Sequence, residues 1–475
     1  MTETLVHRLA SFVVQAREQG VPDEVVRDAR RRLLDVLGNS LAAEAAHAAD
    51  SVRLVAAGWG GSEEATAIGA ARRLPGHAAA LVNGTLAHAL DFDDTHLPSV
   101  LHPSASVVPA ALAVAEAESR PAAEALAAIA VGVELSVRLG SVGYDPSSNV
   151  NLFFERGLHA TSICGALAAA AAASSLLGLD AGGVASAIGV AASMGAGLLE
   201  ANRTGGSVKR AHCGWAAHSG IAAAQLARAG VTGPPTVLEG RFGFFQAYCG
   251  EGADLDALTD ALGERWETLS VFFKPYPCNH FTHPAIDAAL ELRARGIEPD
   301  EVEELELGAP GAVLRTIAEP REEKVRPQSG YHARFSGPYV VAAALLGGGG
   351  LGLYLDDFTD DLARDPRRLE LAERVHCVPD EECDRIFPRR FPARLRARAR
   401  DGAEHEVLVR SSRGGPEAPL SDEELARKFE LNALRALPEE RVAELRARAE
   451  SFGGGDSCSS LLALASPAIG CGRPS

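Results

Sequence analysis

Between Leu81 and Ser104 the chain reads LVNGTLAHALDFDDTHLPSVLHPS, in which three histidines and three aspartates sit among small apolar residues and two prolines. Imidazoles beside carboxylates are groups that take up and release protons near neutral pH, so this run is the first candidate for acid/base chemistry. If residues 84–95 continue as a helix, His88, Asp91 and Thr95 share one face and Asp93 points elsewhere. The alternative is a helix C-terminus in which the same residue types serve as caps and turn formers.

Three further segments carry chemistry-bearing residues. His159 and Thr161 in GLHATS precede a long alanine-rich stretch, so an imidazole and the free amides of a helix N-terminus converge where a carboxylate could be held. In SVKRAHCGWAAHSG, Lys209 and His212 are three residues apart and share a helix face that is otherwise small and apolar, while His218 falls on another face. Burying that pair calls for an anionic partner; otherwise the lysine reaches out to solvent. In VFFKPYPCNHFTHP, Pro275 and Pro277 hold Lys274 extended, which fixes the direction of an ammonium group or marks an edge strand.

Composition limits the remaining options. A net charge of −17 with scattered basic residues argues against a nucleic-acid partner. The apolar runs are too short to span a bilayer and the N-terminus lacks a secretory segment, so a soluble, cytoplasmic protein without a membrane partner is expected. Eight cysteines occur without a CxxC pair, as expected of reduced structural thiols. Asp91, Asp93, Asp94, His96 and His102 could in principle bind a divalent ion, but their spacing matches no established metal motif, and no metal is expected. The absence of a glycine-rich nucleotide fingerprint and of a Schiff-base context leads to the same expectation for cofactors: none.

The elements that must position these residues fall into two textures. Up to about Trp266 the chain shows alanine- and leucine-rich segments of helical period: 6–17, 24–37, 110–117, 122–139, 161–177, 181–199 and 208–229. Beyond it, strand candidates at 271–273, 304–307, 393–399 and 406–409 alternate with helices at 283–295, 337–346 and 367–375, and Asp401-Gly402 reads as a hairpin turn. Helical texture returns at 421–434 and 438–451. The expectation is a mainly α protein: a large all-helical domain, discontinuous in sequence (1–268 and 412–465), a smaller α+β lid domain (269–411), and a tail at 466–475.

DFDDTH at Asp91–His96 with HPS at His102–Ser104, GLHATS at Gly157–Ser162, SVKRAH at Ser207–His212 and KPYPCNHFTH at Lys274–His283, in that order, resemble the MmgE/PrpD family of dehydratases, decarboxylases and epimerases. YHARFS at Tyr331–Ser336 and PLSDEELARKF at Pro419–Phe429 are also similar to it. The tryptophan-containing sequence that precedes HPS in 2-methylcitrate dehydratases is replaced here by Val100 and Leu101, which points away from that substrate.

The resemblance implies a homodimer and a small di- or tricarboxylate substrate. It makes Asp91, His102, His159, Lys209 and Lys274 catalytic positions and Thr95, His212 and Tyr331 substrate-binding ones. The residue types fit, because moving a proton beside a carboxylate builds negative charge that cations must meet. His102 and His159 are the expected acid and base, with Asp91 orienting an imidazole. A cofactor-independent lyase, dehydrating or decarboxylating, is the expected activity. An isomerase that epimerises a carbon next to a carboxylate is the alternative, and a non-catalytic polycarboxylate-binding homologue is a second.

Overall fold

A computed structural model describes residues 3–147, 150–201 and 206–466, so most of the expected tail at 466–475, with Cys471, lies outside the described residues. The fold is mainly α with a small α+β part. It divides into two compact units, 1–271 with 429–475 and 272–428. The sequence reading had placed the two crossings after 268 and at 412. No helix among the described residues is long and apolar enough to cross a membrane.

The first unit is built around helices that the alanine-rich texture makes narrow. Ala160–Leu176 is buried along its whole length, and Val208–Arg228 packs against both it and Gly76–His88. Glycine makes the approach possible. A Cβ on Gly214 would stand 2.1 Å from the Leu81 carbonyl oxygen, and one on Gly84 would stand 2.8 Å from the Gly214 Cα. A Cβ on Gly220 would stand 2.5 Å from that of Ala169, so the same helix is glycine-fitted to both neighbours. Interiors are packed as densely as organic crystals, and small side chains reach that density here by bringing backbones together.

Of the Gly76–His88 helix the sequence reading reached only the last turns, within the helix weighed over 84–95, and its alternative of a helix C-terminus in this run is what the structure has. Twelve of its residues are buried, so it has no polar face to give a period, and it lacks the alanine run that marks the equally buried Ala160–Leu176. The helix expected over 181–199 ends at Ala191, and Leu198 instead makes a bridge to Leu158.

In the second unit a four-stranded sheet runs in the order Val375–Pro379, Val302–Ala309, Ala393–Ala399, Glu404–Val409. The first pair is parallel and the others antiparallel. Alternation decides its faces: Leu305, Leu307, Leu395, Ala397 and Val407 enter a core with the helices His283–Ala294 and Gly337–Leu346. Glu304, Glu306, Arg396 and Arg398 stand opposite and pair across strands. Asp401-Gly402 turns the last two strands, whereas 271–273 is no strand, and Val375–Pro379, of which only Val375 was expected as the end of a helix, is one.

Candidate active site

The Gly76–His88 helix does not continue through 95. It ends at His88, and Asp91 adopts φ +56°, a left-handed conformation that turns the chain back. The expected shared face of His88, Asp91 and Thr95 is therefore not formed. The turn brings Asp93 against His88 instead: Nδ1 of His88 lies 2.7 Å from Asp93 Oδ2, both side chains being buried.

Asp94 fixes the loop that follows. Its carboxylate accepts from Arg32 Nη1 at 2.7 Å, from the Ser104 amide at 3.2 Å, and from the Ser104 hydroxyl. Ser104 opens the helix Ser104–Ala117, so Asp94 works as a cap supplied from outside that helix. Arg32 is itself held by Asp28 and by the carbonyl of Thr268. Burial raises the Asp94 carboxyl to about 6, against the opposing pull of Arg32 and Ser104. His96 is bound to Ser99 Oγ at 2.6 Å, and its amide closes the loop on Leu101 O at 2.9 Å. Burial, with Arg32 nearby, drives His96 down to about 3, so it stays neutral and structural.

This scaffolding delivers His102. Its amide donates to Thr161 Oγ1 at 3.1 Å, and its Nδ1 lies 2.6 Å from the Asp94 carbonyl oxygen and 3.2 Å from Thr95 Oγ1. A carbonyl can only accept, so Nδ1 carries a proton and Nε2 is the nitrogen that binds or gives up the other. Asp93 Oδ2 stands 3.8 Å from the same Nδ1.

His159 arrives by another route. The backbone of 157–159 pairs with that of 197–199, the His159 amide donating to Gly197 O at 3.0 Å. The helix Ala160–Leu176 starts immediately after it. Its Nδ1 meets Nδ1 of His212 at 2.9 Å, and a Cβ on Gly197 would press at 3.1 Å on the Cβ atoms of His159 and Ser162. Two facing imidazole nitrogens share one proton if both rings are neutral. Burial first, then the charges of His88 and Lys209, lowers His159 well below its ordinary value and His212 to about 4.

The rings form a row. His88 lies 5.3 Å from His102 and 5.5 Å from His159, and His159 lies 5.1 Å from His212, centroid to centroid. Lys209, on the helix of His212, extends to within 4.0 Å of Asp91 Oδ1. His218, on that helix's other side, stacks on Trp215 and contacts the His77 carbonyl. Asp91, Thr95, His102, His159, Lys209 and His212 thus belong to the first unit and are linked by these contacts. His88 and Asp93, which sequence reasoning left out, stand among them.

Lys274 and Tyr331 belong to the second unit. Lys274 is buried and follows Phe273, whose amide donates to Gly414 O at 2.9 Å. Tyr331 stands on the short helix Gly330–Ala333, 41% exposed, with its ring 5.4 Å from that of Phe335.

The five residues weighed for a divalent ion are largely committed elsewhere, Asp94 to Arg32 and His96 to Ser99. Donor atoms of His88, Asp93 and Cys213 do come within 4.8 Å of one another. Burial and the neighbouring carboxylates hold the Cys213 thiol well above its ordinary range, and a protonated thiol is a poor ligand. What the arrangement offers is imidazoles and an ammonium group for anionic oxygens, with one histidine of fixed tautomer for a proton.

Comparison with known proteins agrees in extent as well as in motif. Residues 7–255 match the MmgE/PrpD N-terminal domain and residues 276–451 the MmgE/PrpD C-terminal domain. The chain is 28% identical to the cis-aconitate decarboxylase-like protein oryM of Aspergillus oryzae, over 96% of each chain. It is 29% identical to human cis-aconitate decarboxylase, over 98% of this chain and 95% of the relative. It is 28% identical to the mouse decarboxylase, over 98% and 94%.

Proposed function

Because the chain belongs to the MmgE/PrpD family, we propose that it is a cofactor-independent lyase that releases carbon dioxide from a small di- or tricarboxylate. The observation that carries this reading is the row of His102, His88, His159 and His212, the last three buried, beside the Lys209–Asp91 pair. The decarboxylase names of relatives at 28% and 29% identity favour loss of carbon dioxide over loss of water.

The chemistry is balanced by one proton. As the carbon–carbon bond to the leaving carboxylate breaks, its electron pair moves into the substrate skeleton and a proton is added at carbon. His102 supplies it from Nε2, while Nδ1 stays bonded to the Asp94 carbonyl. Lys209 meets the carboxylates that remain, with Asp91 limiting its freedom. His159, kept neutral against His212, offers a donor to a substrate oxygen without competing as a cation. For Lys274 and Tyr331 the assignment as carboxylate-binding groups rests on the family motif alone, as does the homodimer.

The test is incubation in deuterated water with cis-aconitate, citrate, 2-methylcitrate and iminodisuccinate, followed by proton NMR. Release of carbon dioxide from one of them, with a single deuteron in the product, is the expected result. Loss of water makes the protein a dehydratase, and exchange with stereochemical change alone makes it an epimerase. No turnover of any, with binding retained, leaves a binding protein.

A further inference from the structure

His88 is the last residue of its helix and is 3% exposed. Its Nδ1 is bonded to Asp93, but its Nε2 is buried and finds no hydrogen-bond partner among the described residues. A buried donor or acceptor without a partner costs roughly 1–3 kcal/mol, so such an atom calls for an explanation. Its surroundings supply one. The ring stands between those of His102 and His159, and the Asp93 oxygen that holds it lies only 3.8 Å from His102 Nδ1. One carboxylate is therefore shared by two imidazoles, of which only His102 has its Nδ1 anchored on a carbonyl.

We propose that His88, carried by Asp93, is a positioning residue for proton transfer: it shares the Asp93 carboxylate with His102 and faces the His159–His212 pair, holding that pair in its neutral, singly bonded form. This rests on the reading of His102 and His159 as the acid/base groups. The groups that face the row are Asp93 beneath His88, Lys209 and Cys213 from the Val208–Arg228 helix, His102 from the loop after residue 95, and His159 and His212 themselves. Of these, His88 and Lys209 both disfavour protonation of His159 and His212 after burial has done so. Removing the His88 imidazole leaves Lys209 as the remaining group with that effect on both rings.

The experiment replaces His88 with asparagine, whose side-chain amide can still donate to Asp93 but cannot carry a proton charge, and Asp93 with asparagine in parallel. Circular dichroism establishes which variants fold. Histidine Cε1–H resonances are then followed by NMR as pH is changed, with His159 and His212 identified by their loss in H159Q and H212Q. In H88N the midpoints of both rise by about 0.5–1 unit, the scale expected on losing one neighbouring charge. Unmoved midpoints in a folded H88N overturn the proposal; should H88N fail to fold, unmoved midpoints in a folded D93N do so. This readout needs no turnover, so it is separate from the decarboxylase reading. Where turnover is found, the acid limb of the kcat profile moves up with the midpoints while KM changes less than about twofold. If H88N instead restores the full wild-type profile that H88L loses, His88 is a spacer only.

Discussion

Replacing Gly214 with alanine tests the close helix packing on which the histidine row depends. Two effects oppose each other. Glycine inside a helix is about 1 kcal/mol worse than alanine, so on propensity alone the variant is stabilised. Against this, the new Cβ would lie 2.1 Å from the Leu81 carbonyl oxygen, 2.4 Å from Thr85 Oγ1 and 2.9 Å from the Thr85 amide nitrogen. Two of these atoms are helix backbone and cannot rotate away, so Val208–Arg228 and Gly76–His88 must separate. Overpacking costs about 1–3 kcal/mol, and with contacts this short the upper end applies. The net expectation is a loss of about 2 kcal/mol, read as a fall in melting temperature on the order of a few degrees. Gly182, whose Cβ would meet nothing closer than 3.5 Å, is the control: G182A melts at or slightly above wild type. The active site should feel G214A as well, because His88 rides on one of the separating helices and Lys209 and His212 on the other. Turnover is expected to fall by more than the unfolded fraction explains. A G214A protein that melts at or above the wild-type temperature would refute the packing argument.

Gly197→Ala presses on His159 and Ser162 at 3.1 Å, a contact that a small shift relieves; kcat should drop severalfold with a stability change under about 1 kcal/mol, read as kcat against melting temperature. Arg32→Leu leaves the buried Asp94 without its charge partner and should cost roughly 3–5 kcal/mol, seen as a lower denaturation midpoint, whereas an unchanged midpoint would remove Arg32 from the scaffold. Acid should destabilise the first unit. His212 and His96 are depressed to about 4 and about 3, so from pH 6.5 downward the unfolded chain takes up protons that the folded one refuses. Asp94, raised to about 6, works the other way between pH 6 and 3.8 and offsets roughly half of the two-histidine effect there, so the loss on acidification sets in below about pH 6.5, is fullest near pH 6 to 5 and eases toward pH 4. Denaturation midpoints measured across this range check the order.

Legibility in the sequence followed the physics of each element. The outer helices and the hairpin were visible because each has one buried face and one wet face, or a turn that only certain residues make. Only the end of Gly76–His88 was legible, because a buried helix has no period and this one lacks the alanine run by which the equally buried Ala160–Leu176 was read. Val375–Pro379 went unread, its first residue taken as the end of the preceding helix, because the strand is short and follows closely on Pro366–Glu373. In the site, Lys209 and His212 could be paired from their spacing, since both stand on one regular helix. His88 and Asp93 could not: their contact across five residues arises from the chain reversal at Asp91, which no helical or strand template contains. Arg32 and Asp94 meet across 62 residues, a pairing that belongs to tertiary structure alone.

Asp94 touches the proposed chemistry only through its backbone, since the carbonyl oxygen holds His102 while the carboxylate is occupied with Arg32 and Ser104. In a mutational survey scored by turnover, Asp94 would rank beside the histidines and be counted as a reacting group. Scored by abundance, the same substitutions would fall among the folding defects, and no added small acid would rescue them. The two surveys together would separate residues that do chemistry from one that only holds the frame in which the chemistry is done.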